Sequence, residues 1–339
     1  IQMDYSYLNE YAGRNALLDL TPYSGQQLDL GHMDKNLVNA GKVGDKLYAI
    51  SLGGNVQALQ LNKSMLDQAG LPVPPMDWTW ADFEHYGQVI KVKLGPGMWF
   101  STDASNNMVV FEYWLRQRGL PGMWNGTNFA FTEKDLAEWW TYWDKLRKQG
   151  FVPNGEQSAS YSGDIANSMW VKGKVATQFG YAAEFEKWAT IVKDDVVMVP
   201  YPRGGQADGH YVKPSMYWSV YGKTKHPQEA LAFINWFIND PEAAKILGTT
   251  RGVPVTTTAL DAVKDAGLTK YDMAVNDMTT KIMAFAGPTP TPAPKGSTDI
   301  GKLFTQLSQE QAFGRTTPAQ AAKDFMTQGA KILQQANGK

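Results

Sequence analysis

The pattern of apolar and polar positions switches repeatedly between a period of two and a period of 3.6. Residues 47–50 (LYAI) form a short apolar run of β-formers entered through Gly44-Asp45, and residues 56–61 (VQALQL) mix apolar Val56, Ala58 and Leu59 with polar Gln57 and Gln60. Both read as strands. Asn62 then reads as an N-cap, 63–69 as a helix and Gly70 as its stop. Helical spacing recurs over 6–16, 79–91, 107–118, 132–149, 162–171, 182–191, 227–239, 297–311 and 318–336. In 132–149 the stripe Leu136, Trp139, Trp140, Trp143, Leu146 predicts a core face. Strand-like runs at 1–3, 98–101, 175–179, 196–200 and 214–220 lie between these helices. Strands alternating with helices of ten or more residues imply an α/β architecture of mostly parallel sheets. A length of 339 residues implies two domains.

Composition narrows the function. The chain is 43% hydrophobic and 19% charged, enough apolar material for large cores. A net charge of −1 recommends neither nucleic acid nor an anionic membrane as partner. No apolar run approaches the length of a membrane span. The absence of cysteine excludes a thiol nucleophile and a Cys-ligated metal, and His32, His85, His210 and His226 are far apart. No cofactor or metal is therefore expected. The missing cysteines either carry no meaning or suit an oxidising compartment. Twelve Trp and fifteen Tyr are many for this length. Most must pack in cores, but an aromatic face with a polar edge also suits a sugar ring.

Three places draw attention before any comparison. Ser51-Leu52-Gly53-Gly54-Asn55 breaks two strands and turns backbone amides and Asn55 outward, as a seat for a polar ligand or as an ordinary hairpin-like turn. Asp4 and Tyr5 follow a predicted parallel strand, at the sheet edge where α/β folds bind ligands; Asp4 reads alternatively as a helix cap. Trp124 lies in the turn 119–125 and serves either as a sugar platform or as a plug for its own loop.

Several short motifs stand in an order that resembles the family 1 extracellular solute-binding proteins, the maltose-binding-protein-like carbohydrate subunits of ABC importers. They are Asp45-Lys46-Leu47-Tyr48, Leu61-Asn62-Lys63, Ala69-Gly70-Leu71, Pro74-Pro75 and Thr79-Trp80-Ala81-Asp82-Phe83. Leu61 stands where that family usually has Tyr. Further on, 169–181 resembles the family's helix–Gly-Lys–strand–Gly-aromatic motif, with Tyr181 in place of the commoner Trp. The segments 227–255 and 314–322 resemble its later blocks, so the resemblance spans the chain. It implies a two-lobe periplasmic-binding-protein-like fold with three inter-lobe crossings and a ligand cleft. The lobes are expected at 1–102 with 217–286 and at 103–216 with 287–339; the Pro-rich 287–296 is the third crossing. By the same comparison a first βαβ unit, roughly 50 to 70 residues, precedes Ile1 in the family.

The resemblance also implies a role: binding a carbohydrate by hinge closure and delivering it to ABC permease subunits. The protein is expected to be no enzyme, to be monomeric, and to be periplasmic or lipid-anchored outside the cytoplasmic membrane. Tyr181 is expected to stack on sugar from the second lobe, assisted by Phe179 or Glu184. Asp103 is expected on the cleft floor at the first crossing. Of Tyr217 and Trp218, which point to opposite faces of a strand, Trp218 is the one taken to face ligand. Arg251 either bonds ring hydroxyls or pairs with a surface carboxylate. Asp4, Tyr5, Asn55, Asp103, Trp124, Tyr181, Trp218 and Arg251 are thus the expected ligand set, with Gln57 in reserve. The rival reading is a glycoside hydrolase using Asp4 and Asp103 as its carboxylate pair.

Overall fold

The computed structural model describes residues 1–161, 164–249 and 251–338. It separates into two compact units: Ile1–Val56, Tyr181–Glu186 and Tyr211–Pro292 form unit 1; Gln57–Gly180, Lys187–His210 and Ala293–Lys339 form unit 2. The chain makes three lasting passes, after Val56, His210 and Pro292, and one brief excursion at Tyr181–Glu186. The division expected at 102/103, 216/217 and 286/287 is corrected accordingly. The largest error is at the first pass. Gly54–Asn55 and Gln57–Asn62 look like one interrupted strand, yet the first pairs within unit 1 and the second is a wholly buried strand of unit 2.

In unit 1, the strands Gln2–Met3, Tyr217–Trp218 and Ile50–Ser51 form a sheet in that order, with Tyr217–Trp218 in the middle. Its pairs are antiparallel, as is the pairing of Gly54–Asn55 with Lys213–Pro214. The mostly parallel sheet expected here is thus not what the described pairs show. The reason is directional: 50–55 leads out of unit 1 toward unit 2, whereas 211–218 leads back in. Helices flank these strands, among them Pro227–Asn239, with Pro at its first turn, and Pro241–Leu247, capped by Asp240. Only short helical pieces, Tyr5–Tyr7 and Leu8–Gly13, occupy the expected helix 6–16.

Unit 2 is built on a four-stranded sheet in the order Val196–Val199, Gln57–Asn62, Val175–Tyr181, Trp99–Ser101. The first pair is antiparallel and the last parallel. Asn62 caps Lys63–Ala69 through Met65 N at 3.0 Å, and Gly70 stops it at φ 73°. Thr79 and Thr132 close capping boxes on Trp80–Leu94 and Glu133–Gln149. The expected tryptophan stripe is core: Trp139, Trp140 and Trp143 are fully buried with Phe83, Phe100, Phe111 and Phe304. Trp139 and Trp140 both donate Nε1 to Ser105 O at 3.1 Å. The helix expected at 162–171 begins on Ser162 and Gly163, which lie outside the described residues. From Asp164 on there is a 3₁₀ turn, Ile165–Asn167, and no α-helix.

Unit 2 also buries a histidine, just ahead of the second pass. His210 is fully buried; its Nε2 accepts from Tyr201 N at 3.3 Å, so Nδ1 carries the proton and donates to Asp208 Oδ1 at 2.7 Å. Burial holds the imidazole below its ordinary value, against the pull of Asp208 and with Arg203 and Arg116 adding to the lowering. Burial pushes the Asp208 carboxyl up, but hydrogen bonds from His210 and the charges of His210 and Arg203 bring it net below the usual range. Both shifts have the same sign in stability. The unfolded chain takes up each proton at a higher pH than the folded one. Unit 2 is therefore expected to keep full stability above about pH 6.5 and to lose it as pH falls, His210 contributing first and Asp208 below about pH 4. Urea midpoints measured from pH 8 to 4 would check this. His210→Gln should flatten the upper part of the fall, and an unchanged slope would dismiss the assignment.

Candidate functional site

The break at Gly53-Gly54-Asn55 becomes a crossroads of unit 1. Gly54 exchanges hydrogen bonds with Val253 at 2.8 and 3.1 Å, and Gly53 O accepts from Ser215 N at 2.8 Å and Ser51 Oγ at 2.9 Å. A Cβ on Gly53 would stand 2.2 Å from Arg251 O, so only glycine allows this approach of the two backbones. The Ser215 hydroxyl also donates to Arg251 O. The loop is thus strapped on two sides. It is neither a free turn nor a simple hairpin.

Asn55 carries the next connection. Its Oδ1 accepts from Val56 N at 3.0 Å and from Ala183 N at 3.1 Å, while Ala182 N donates to Val56 O at 2.9 Å. These bonds fasten Tyr181–Glu186 onto unit 1. Glu184 Oε2 accepts from Tyr181 N at 3.1 Å and fixes the start of that segment. Lys213, cross-strand partner of Asn55, places its ammonium 5.5 Å from the centre of the Tyr181 ring. Asn55, Tyr181 and Lys213 are each half-buried, so one aromatic face and two polar groups converge at one end of the unit. Tyr181 therefore belongs with unit 1, and its expected placement on the second lobe is corrected. Lys213 was missed by sequence reasoning. Its one signal was its position directly before the Pro214 strand.

The remaining candidates separate. Tyr5 stacks on Tyr217 with ring centres 6.4 Å apart and bonds Pro290 O through its hydroxyl. Asp4 opens the Tyr5–Tyr7 turn without capping the helix Leu8–Gly13, whose N-cap is Tyr7. The strand Gln2–Met3 just before them pairs antiparallel, so the parallel-strand argument for them falls. Tyr217 is fully buried and donates to Ala40 O at 2.6 Å; burial, with Tyr5 and Asp4 nearby, pushes its hydroxyl far up. Trp218 packs edge-on against Phe233 and Phe237, at 5.4 and 5.6 Å, beneath the helix Pro227–Asn239. Its expected ligand face is spent on that packing. Arg251 is exposed; its neighbour Thr250 lies outside the described residues.

Two candidates belong to unit 2. Trp124 is buried, stacked on Phe129 across a two-stranded hairpin at 5.7 Å, and is the plug of its own loop. Asp103 is committed to Arg147 at 2.7 Å, both side chains buried, which removes it from a hydrolase pair. Phe179 packs among Trp80, Phe83 and Tyr201. Gln57, the reserve, is wholly buried with neither amide atom hydrogen-bonded. Among the described residues no cluster of three metal-ligating side chains occurs, and no helix is long and apolar enough to cross a membrane.

A family model described as bacterial extracellular solute-binding protein matches residues 1–275. The chain belongs to this family. Solved structures extend the likeness over nearly its whole length. This solute-binding protein is 28% identical to an extracellular solute-binding protein family 1 from Alicyclobacillus acidocaldarius, with a TM-score of 0.86 over 98% of this chain and 83% of that one. A periplasmic oligogalacturonide binding protein from Yersinia enterocolitica is 23% identical, with a TM-score of 0.85 over 99% and 84%. An ABC substrate-binding protein from Listeria monocytogenes in complex with cycloalternan is 19% identical, with a TM-score of 0.78 over 99% and 84%. The expected α/β two-domain architecture of periplasmic binding proteins is thus found, with open sheets. The protein binds a solute outside the cytoplasmic membrane.

Proposed function

We propose that this solute-binding protein takes up a carbohydrate, with the Tyr181 ring as its platform, and hands it to the membrane subunits of an ABC importer. The observation that carries the reading is the convergence of Tyr181, Asn55 and Lys213. A half-buried ring offers its face to the C–H side of a sugar, while an amide and an ammonium reach its hydroxyls. The Yersinia and Listeria relatives, which are named for sugar ligands, support the class. Closing of the two units over the bound sugar, as a monomer, completes the proposal: the ligand must favour the closed form energetically for the importer to sense it. Lys213 and Arg251 admit uronates beside neutral sugars.

Calorimetric titration with neutral oligosaccharides and with oligogalacturonides tests this. Tyr181→Ala is expected to weaken the hit at least roughly tenfold, about 1.4 kcal/mol. Lys213→Met should weaken a uronate much more than a neutral sugar. Full affinity in Tyr181→Ala would remove the platform from the site. A ligand that proves to be no carbohydrate would remove the class.

A further inference from the structure

We infer that Tyr201 and Glu184 are positioning residues for the Tyr181 platform, acting through the peptide group that leads into it. That group is the carbonyl of Gly180 and the N–H of Tyr181. Its oxygen accepts from the Tyr201 hydroxyl at 2.9 Å, and its N–H donates to Glu184 Oε2 at 3.1 Å. The inference rests on the reading of Tyr181 as a sugar platform.

A peptide group is planar, and its C=O and N–H point in opposite directions. Bonding both therefore stops the plane from turning about its flanking bonds. One of those bonds sets φ of Tyr181, which has extended values of φ −115° and ψ 151°. These angles decide how the ring leaves the backbone, and so its place 5.5 Å from the Lys213 ammonium. With either bond lost, the plane can turn and the ring can leave that place.

Tyr201 is built as an anchor. It is 1% exposed, two residues beyond the strand Val196–Val199. Its ring meets Tyr113 and Phe179 edge-on at 5.1 and 5.0 Å. Its backbone N donates to His210 Nε2 at 3.3 Å, and its backbone O accepts from the Tyr113 hydroxyl at 3.2 Å. Tyr201, Gly180, Tyr113, Phe179 and His210 all belong to unit 2. The hydroxyl thus reaches Gly180 O from a side chain held at both its ring and its backbone. Phenylalanine would keep every ring contact, so the part played by the hydroxyl can be tested alone. Glu184 ends the 3₁₀ turn Ala182–Glu184, which brings its carboxylate back to Tyr181 N.

Freeing the peptide lowers the fraction of molecules whose ring is in place, and the apparent affinity falls with that fraction. One hydrogen bond of ordinary worth corresponds to about fivefold.

The test is Tyr201→Phe in the full chain. Hydrogen-exchange NMR on isotope-labelled tyrosine amides reads the platform without any sugar. The Tyr181 N–H should exchange about fivefold faster, while the Tyr142 N–H, inside the helix Glu133–Gln149, should be unchanged. Calorimetry with the panel of neutral oligosaccharides and oligogalacturonides should show about fivefold weaker binding. The same change made in Tyr181→Ala should cost nothing further, because Tyr201 acts through that ring. Glu184→Ala should reproduce both effects, and Glu184→Gln, which keeps an acceptor, should restore binding. Unchanged exchange at Tyr181 in Tyr201→Phe would overturn the inference. So would an equal loss of affinity in the Tyr181→Ala background, which would make Tyr201 a support of the fold at large. Absence of binding to the whole panel would remove the platform reading itself, and this inference with it, whatever the exchange rates.

Discussion

Arg147→Met should destabilise unit 2 by about 3–5 kcal/mol, the usual consequence of removing one partner from a buried ion pair. Arg147 and Asp103 are 5% and 7% exposed, and the guanidinium is shared among Asp103, Ser105 and Gln311. Removing it leaves a carboxylate and two polar groups buried without their donor. The methionine stem keeps most of the volume, so the loss is electrostatic rather than a cavity effect. Pairing the change with Asp103→Asn removes the stranded charge and should return part of the loss. Urea denaturation of the three variants reads this directly. A single-variant loss under about 1 kcal/mol would show that the pair behaves as an exposed one.

Trp140→Ala should cost a similar amount, about 3–5 kcal/mol, by a different route. Trp140 is fully buried, its ring 5.4 Å from Phe304 and edge-on to Phe325 at 6.3 Å. It lies on the helix Glu133–Gln149, between that helix and the two C-terminal helices, Ser297–Ala312 and Pro318–Ala336. The loss is mainly one of packing, because Ser105 O keeps its second donor, Trp139. Trp140→Phe should recover much of the stability. An alanine variant as stable as the parent would mean that the three helices can close the gap by moving together.

The helices were legible because their signals are local. Asn62 caps the helix expected of it, and Thr79, Thr132 and Thr317 cap helices expected to start close to them. The tryptophan stripe of 132–149 was legible for the same reason, a 3.6 period over a long segment. The passes between units were not legible. Gly54–Asn55 and Gln57–Asn62 differ in tertiary partner, not in local pattern, and no spacing rule separates strands one residue apart. Among the site residues, Asn55 and Tyr181 are brought together by hydrogen bonds between residues more than a hundred positions apart. Trp124 and Trp218 looked available because a turn and a strand each expose one side; Phe129 of its own hairpin covers Trp124, and Phe233 and Phe237 of the next helix cover Trp218.

The placement of the tryptophans has a spectroscopic consequence. Ten of the twelve lie in unit 2, and only Trp218 and Trp236 lie in unit 1 with Tyr181. Emission excited at the indole band therefore comes mostly from the closely spaced rings around Trp139, Trp140 and Trp143, and it reports the packing of unit 2. Sugar arriving at Tyr181 should move that signal little, while Trp236, 44% exposed, contributes a small red-shifted component from unit 1. The same spectrum thus follows the unfolding of one unit with high contrast and is nearly blind to the other. Replacing Trp236 with Phe should leave the unfolding trace unchanged and remove the red edge.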